Sequence, residues 1–127
     1  MKKGFTLIEL LAVIIILAIV ALIATPIVLD VVDDAKDSAA RSEASMIVSG
    51  INNYCAAAEM RTQLNGTVNP CADGVSAAEV ASMVDLGNAK ITSVTYDSKV
   101  TALEVNSNGR TVKYDVTAAS DKYTVSK

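Results

Sequence analysis

From Phe5 to Leu29 the chain is almost unbroken hydrocarbon. The only polar side chains in that run are Thr6, Glu9 and Thr25, and the only helix breaker is Pro26. Coiled as a helix it would extend about 37 Å, enough to cross a hydrocarbon core of about 30 Å with tilt. A segment this long and apolar has few ways to hide from water, so it dictates a helix held in lipid or packed among other apolar helices. Within it an ionisable group is costly, and Glu9 therefore reads as a functional residue that needs a partner.

Two ordinary readings of this start fit poorly. A secretory signal peptide has a shorter apolar region that ends at a small-residue cleavage site. Here the run is too long, and in Ala24-Thr25-Pro26 a proline would follow the cut closely. A plain single-span anchor fits the length but gives Glu9 no purpose. A third reading comes from the residues around the junction. Lys3-Gly4-Phe5-Thr6-Leu7-Ile8-Glu9 resembles the processing site of type IV pilins and related pseudopilins, and Pro26 falls where that family often carries a proline. The match covers the first thirty residues or so, and it counts because basic leader, Gly-Phe junction, acidic residue and apolar length occur together.

The resemblance implies a set of site residues. A prepilin peptidase would cut after Gly4, release the leader at residues 1–4, and methylate the new amine on Phe5. Residues 5–29 would remain as the membrane-spanning and polymerising half of a helix, and 30–127 would form an exported head. Glu9 would lie one helical turn from the new terminus. In similar proteins this glutamate pairs with the terminal ammonium of a neighbouring subunit as a filament grows, which makes Phe5, Glu9 and Pro26 the assembly residues. A same-chain pairing between the Phe5 amine and Glu9 is equally compatible with the sequence. The implied partners are further copies of the chain, the peptidase, an assembly ATPase, a platform protein, and the membrane before assembly. The implied location is the inner membrane as a single-pass precursor, then an extracellular pilus.

The chain has 127 residues, one domain's worth, and its 51% apolar content is concentrated in the first thirty. The remainder can bury only a modest core and would benefit from a staple. Cys55 and Cys71 are the two cysteines, and in a chain exported past a membrane they are expected to form one disulfide, worth roughly 3 kcal/mol. A metal or redox pair is disfavoured, since the spacing is not C-x-x-C and histidine is absent. Over residues 30–127 there are 9 basic and 13 acidic side chains, a balance that disfavours nonspecific nucleic-acid binding. The only candidate basic patch is Lys99, Arg110, Lys113, Lys122 and Lys127. Acids predominate over residues 30–85, bases over 86–127, and this weak asymmetry would help like subunits pack in register.

Past Pro26 a helical period returns. Ala40, Ala44, Ile47, Ile51, Tyr54 and Ala58 recur at steps of three and four and form one apolar stripe. With Gly50 the lone glycine and no proline from Asp30 to Gln63, one helix is expected from Phe5 to about Thr62, roughly 85 Å long. Pro26 is expected to kink it or open it locally, although Ala18 stands where many relatives carry a glycine that favours melting. Asp30, Asp33, Asp34 and Asp37 share one face. A solvated surface is the default for such a ridge, and the sharper alternative is contact with Lys36 or Arg41 of neighbouring copies. Calcium is unsupported, because no loop-type ligand spacing appears.

Residues 65–74 read as a loop from their turn chemistry. Asn65-Gly66-Thr67 fits a glycosylation pattern, but the match is too short to assign a role. Ser76-Ala77-Ala78-Glu79 reads as a capping box that opens a short helix to about Val84. The last third alternates with period two. Val94 and Tyr96, Leu103 and Val105, then Val112, Tyr114 and Val116, and finally Tyr123 and Val125 lie on the inward faces of half-buried strands. Asn106-Ser107-Asn108-Gly109 marks a hairpin.

An α+β fold follows, with one long helix at about 5–62 packed on a small antiparallel sheet, and it agrees with the pilin architecture. Nothing in the sequence points to an enzyme or a cofactor. No histidine is available as base or ligand, all six glycines are isolated, and Glu59, Glu79 and Glu104 have no spacing that pairs them. Tyr54, Tyr96, Tyr114 and Tyr123 sit on expected core faces rather than on a stacking platform. The function expected is a structural pilus subunit. The alternatives are a pseudopilin of a competence or secretion filament, and a membrane-tethered binding module that never polymerises.

Overall fold

The computed structural model describes residues 3–127, so Met1 and Lys2 of the expected leader lie outside it. Its elements in order are helix α1 (Leu7–Asn65), helix α2 (Ala77–Met83), and strands β1 (Lys90–Tyr96), β2 (Val100–Ser107), β3 (Arg110–Asp115) and β4 (Tyr123–Ser126). The architecture is α+β, a long apolar amino-terminal helix and a four-stranded antiparallel sheet. The chain divides after Ala35 into two compact units.

The first unit is the apolar part of α1. Residues on both sides of Pro26 stay helical, so the expected local opening does not occur. Two features favour the helix there. Alanine at position 18 favours helix over glycine by about 1 kcal/mol. The Thr25 hydroxyl donates to the Ala21 carbonyl at 2.7 Å, adding a bond in the turn that a proline weakens.

In the second unit α1 is amphipathic. Ala40, Ala44, Ile47, Val48, Ile51, Cys55 and Ala58 are buried, at steps that keep them on one face. Tyr54 departs from the expected stripe and is 37% exposed. Its neighbour Cys55 takes the inward place because a disulfide ties it to Cys71, with Cα atoms 5.7 Å apart. Consecutive helical residues point about 100° apart, so turning Cys55 inward swings Tyr54 to the rim.

The sheet is a meander in the order β1-β2-β3-β4. Its inner face, with Leu103, Val105 and Tyr114, packs on Ile47, Val48 and Ile51 of α1 to form the main core. A smaller cluster sets Val112, Tyr123 and Val125 against Ala40 and Ala44, whose short side chains let the strands lie close to the helix. The Tyr114 and Tyr123 rings meet at 4.9 Å. In β1 the register slips between Ile91 and Ser93. That bulge brings Ile91 to the core face along with Val94, three positions on, which strict alternation does not predict. The β2–β3 turn is the two-residue loop Asn108-Gly109, with φ of 52° and 74°, the left-handed pair that a tight hairpin needs. Strand β3 stops before Val116 because the Asp115 carboxylate accepts from the Thr117 N–H at 2.8 Å and hydroxyl at 2.6 Å, turning the chain.

Polar links fasten α1 to the rest of the head. Asp37 meets the largely buried Arg110 at 2.5 Å, and Arg41 meets Asp121 at 2.6 Å. Glu43 accepts from the buried Ser107 hydroxyl, and the Asn52 side-chain oxygen accepts from the Val100 N–H at 2.8 Å. At the other end of the core, Gly50 lets α1 touch the residue after α2. A Cβ at position 50 would sit 2.8 Å from Cγ2 of Val84.

Candidate functional site

The chemistry-bearing residues of the amino terminus lie in and beside the first turn of α1. Residues 3–6 are irregular and exposed, with Phe5 at 93%, so the Gly4–Phe5 bond sits in accessible chain. Helix begins at Leu7 because Thr6 caps it. The Thr6 hydroxyl accepts from the Glu9 N–H at 3.3 Å. In return the Glu9 carboxylate accepts from the Thr6 N–H at 2.8 Å and the Thr6 hydroxyl at 3.0 Å. This reciprocal exchange is a capping box. Here Glu9 thus answers to Thr6 in its own chain. The Phe5 nitrogen is a peptide amide joined to Gly4 and carries no charge for Glu9 to meet.

Sequence reasoning passed over this pairing, although the signal was present. Thr6-Leu7-Ile8-Glu9 has the separation of Ser76-Ala77-Ala78-Glu79, where the Glu79 carboxylate likewise accepts from the Ser76 N–H at 2.8 Å and hydroxyl at 2.7 Å.

The surface around this turn is apolar and, among the described residues, uncovered. Leu7, Ile8, Leu10, Leu11 and the large side chains that follow, through Val31, are each at least half exposed. The helix is long and apolar enough to cross a membrane. Pro26 is not brought to the Glu9 turn; it lies about 25 Å further along the helix.

Two expected charge groupings are dispersed. Of the acidic ridge, Asp30 and Asp34 are exposed, but Asp37 is engaged by Arg110 of the same head. Arg41, a candidate cation for neighbouring ridges, is engaged by Asp121. The candidate basic patch is broken as well, since Arg110 is buried against Asp37 and Lys113 meets Glu104 at 3.3 Å.

With this geometry in view, comparison with known families is decisive for the amino terminus. The family model for the prokaryotic N-terminal methylation motif matches residues 1–25. The chain carries a prepilin signal. The prepilin motif implies processing by a prepilin peptidase and service by pilus assembly machinery. Motif and apolar helix together fit a membrane-anchored precursor. Comparison with curated proteins and with solved structures returned no match.

Proposed function

We propose that the mature prepilin is a structural subunit of a type IV pilus, polymerised through residues 5–29 and carrying residues 30–127 as an exported head. The observation that supports it is the combination of a prepilin signal with an apolar helix whose large side chains have no cover in their own chain. Leaving lipid for a bundle of like helices gains packing rather than hydrophobic energy. Burial from water would contribute on the order of 25 cal/mol per Å².

Glu9 then works as an exchangeable carboxylate. Before cleavage its oxygen is satisfied by Thr6, so the charge is not stranded while the subunit waits in the membrane. Cutting after Gly4 creates a methylated ammonium on Phe5, a stronger partner than an amide or hydroxyl donor. Trading Thr6 for the ammonium of an adjacent copy ties register to charge pairing, because a copy that docks out of step leaves both charges alone in a low dielectric.

A competence pseudopilin finds less support, since the basic patch it would use is divided by Arg110–Asp37 and Lys113–Glu104. The test is Glu9→Leu in the full chain, followed by filament yield, processing and membrane insertion. The variant is expected to be inserted, without filaments. Wild-type filament yield would sink the pairing role. Mass analysis of the mature amino terminus separates the wider alternatives: methyl-Phe5 supports a pilin subunit, and an uncut Met1 supports a tethered module.

A further inference from the structure

The apolar run begins at Phe5, yet helix α1 begins at Leu7. Phe5 and Thr6 are left out of the helix, and the Gly4–Phe5 bond stays out with them. An earlier start would change that bond, because each N–H of an α-helix donates to the carbonyl four residues before it. In a helix run back to Lys3, the Ile8 N–H would take the Gly4 carbonyl and the Glu9 N–H that of Phe5. The Gly4 carbonyl belongs to the bond that a prepilin peptidase would cut. Held in a helical hydrogen bond, it would be shielded by the turn and aimed at Ile8, not at the donors of an active site.

Thr6 prevents this. Its hydroxyl accepts from the Glu9 N–H at 3.3 Å, the donor that would otherwise reach back to Phe5. Its carbonyl accepts the first helical bond, from the Leu10 N–H at 3.2 Å. The Glu9 carboxylate in turn holds the Thr6 N–H at 2.8 Å and so fixes Thr6 in its capping place. Among the described residues nothing donates to the Gly4 carbonyl. Packing at Gly4 does not set the boundary, since a Cβ there would meet no atom within 4 Å.

We propose that Thr6 is a positioning residue for leader cleavage: its cap pins the start of α1 two residues past the Gly4–Phe5 bond and keeps the Gly4 carbonyl unclaimed. The inference rests on the prepilin reading, with cleavage after Gly4, and needs no filament. Without the hydroxyl the boundary wanders. The orphan donors of the first turn are then met by opening that turn to other partners or by running the helix back. In either case the bond loses its set place ahead of a rigid helix.

The side chains that can replace threonine separate capping from direct recognition. Valine has the shape of threonine, so a peptidase that reads shape would accept Thr6→Val. One that reads the hydroxyl would accept Thr6→Ser and refuse Thr6→Asn. Capping accepts serine and asparagine alike and refuses valine and alanine.

The test follows leader removal by mass over time, from the full chain in membranes, after addition of the detergent-solubilised native prepilin peptidase. Thr6 is exposed and outside both core clusters, so all variants should insert and fold alike. Thr6→Val and Thr6→Ala should be cut about fivefold or more slowly. Thr6→Ser and Thr6→Asn should stay within about twofold of wild type. Thr6→Val cut as fast as wild type, or Thr6→Asn cut as slowly as Thr6→Val, would overturn the positioning role and leave the prepilin reading standing. A wild-type chain left whole would sink that reading, and this role with it.

Discussion

Gly50 offers a test in which two opposing effects must be weighed. In the middle of a helix glycine is about 1 kcal/mol worse than alanine, so Gly50→Ala should stabilise on propensity alone. Against this, the new methyl would lie 2.8 Å and 3.0 Å from the two Cγ atoms of Val84 and 3.5 Å from its Cβ. A β-branched side chain is stiff at χ1, so the strain passes to the backbone after α2. Overpacking of this kind costs about 1–3 kcal/mol. The balance is a net loss of up to about 2 kcal/mol, which lowers the melting temperature of a head this size by up to about 15 °C. All four tyrosines lie in the head, so thermal unfolding followed by their near-ultraviolet circular dichroism reports on it without the apolar segment. In a Val84→Ala background the obstacle is gone, and the same glycine-to-alanine change should turn stabilising by up to about 1 kcal/mol. If Gly50→Ala raises the melting temperature equally in both backgrounds, the close approach is not what selects glycine.

Further outcomes follow from other contacts. Replacing Cys55 and Cys71 by alanine should cost the head about 3 kcal/mol while leaving insertion intact; exported wild-type protein with both thiols free by mass spectrometry would remove the basis for this. Thr6→Val deletes the hydroxyl bonded to Glu9 at 3.0 Å and should fray the first turn, read as faster amide exchange at Leu7 to Leu10. Unchanged exchange there would show that the threonine cap does not hold the turn. Three exposed carboxylates have lowered pKa values: Asp115 through the Thr117 hydroxyl and then its N–H, Asp121 through the Tyr123 N–H and then Arg41, and Glu79 through the Ser76 hydroxyl and then its N–H. Depressed folded values contribute stability that is complete above the unfolded pKa and lost as pH falls through the folded one. The head's melting temperature should therefore be level from pH 7 to about 5 and decline below about 4. A decline that starts near neutrality would contradict this.

Much of the molecule was legible from local signals. Period 3.6 on one face gives the buried side of α1, period two gives Leu103/Val105 and Val112/Tyr114, and Ser76-x-x-Glu79 gives the start of α2. Each depends on neighbours within a few residues, where geometry is set by the chain itself. The apolar run from Phe5 to Leu29 likewise dictates a helix without reference to anything distant, and with the Gly4–Phe5 junction it carries the prepilin signal.

Tertiary structure decided what depends on which groups meet. Only the fold assigns Asp37 to Arg110, from 73 residues away, and Arg41 to Asp121, which dissolves the idea of free ridges and patches that a charge count suggests. Only the fold shows that a bulge brings Ile91 inward, that the disulfide side of the helix displaces Tyr54, and that Gly50 is needed by Val84. Pairing partners and close approaches are fixed by the three-dimensional path of the chain, and no spacing along the sequence encodes them.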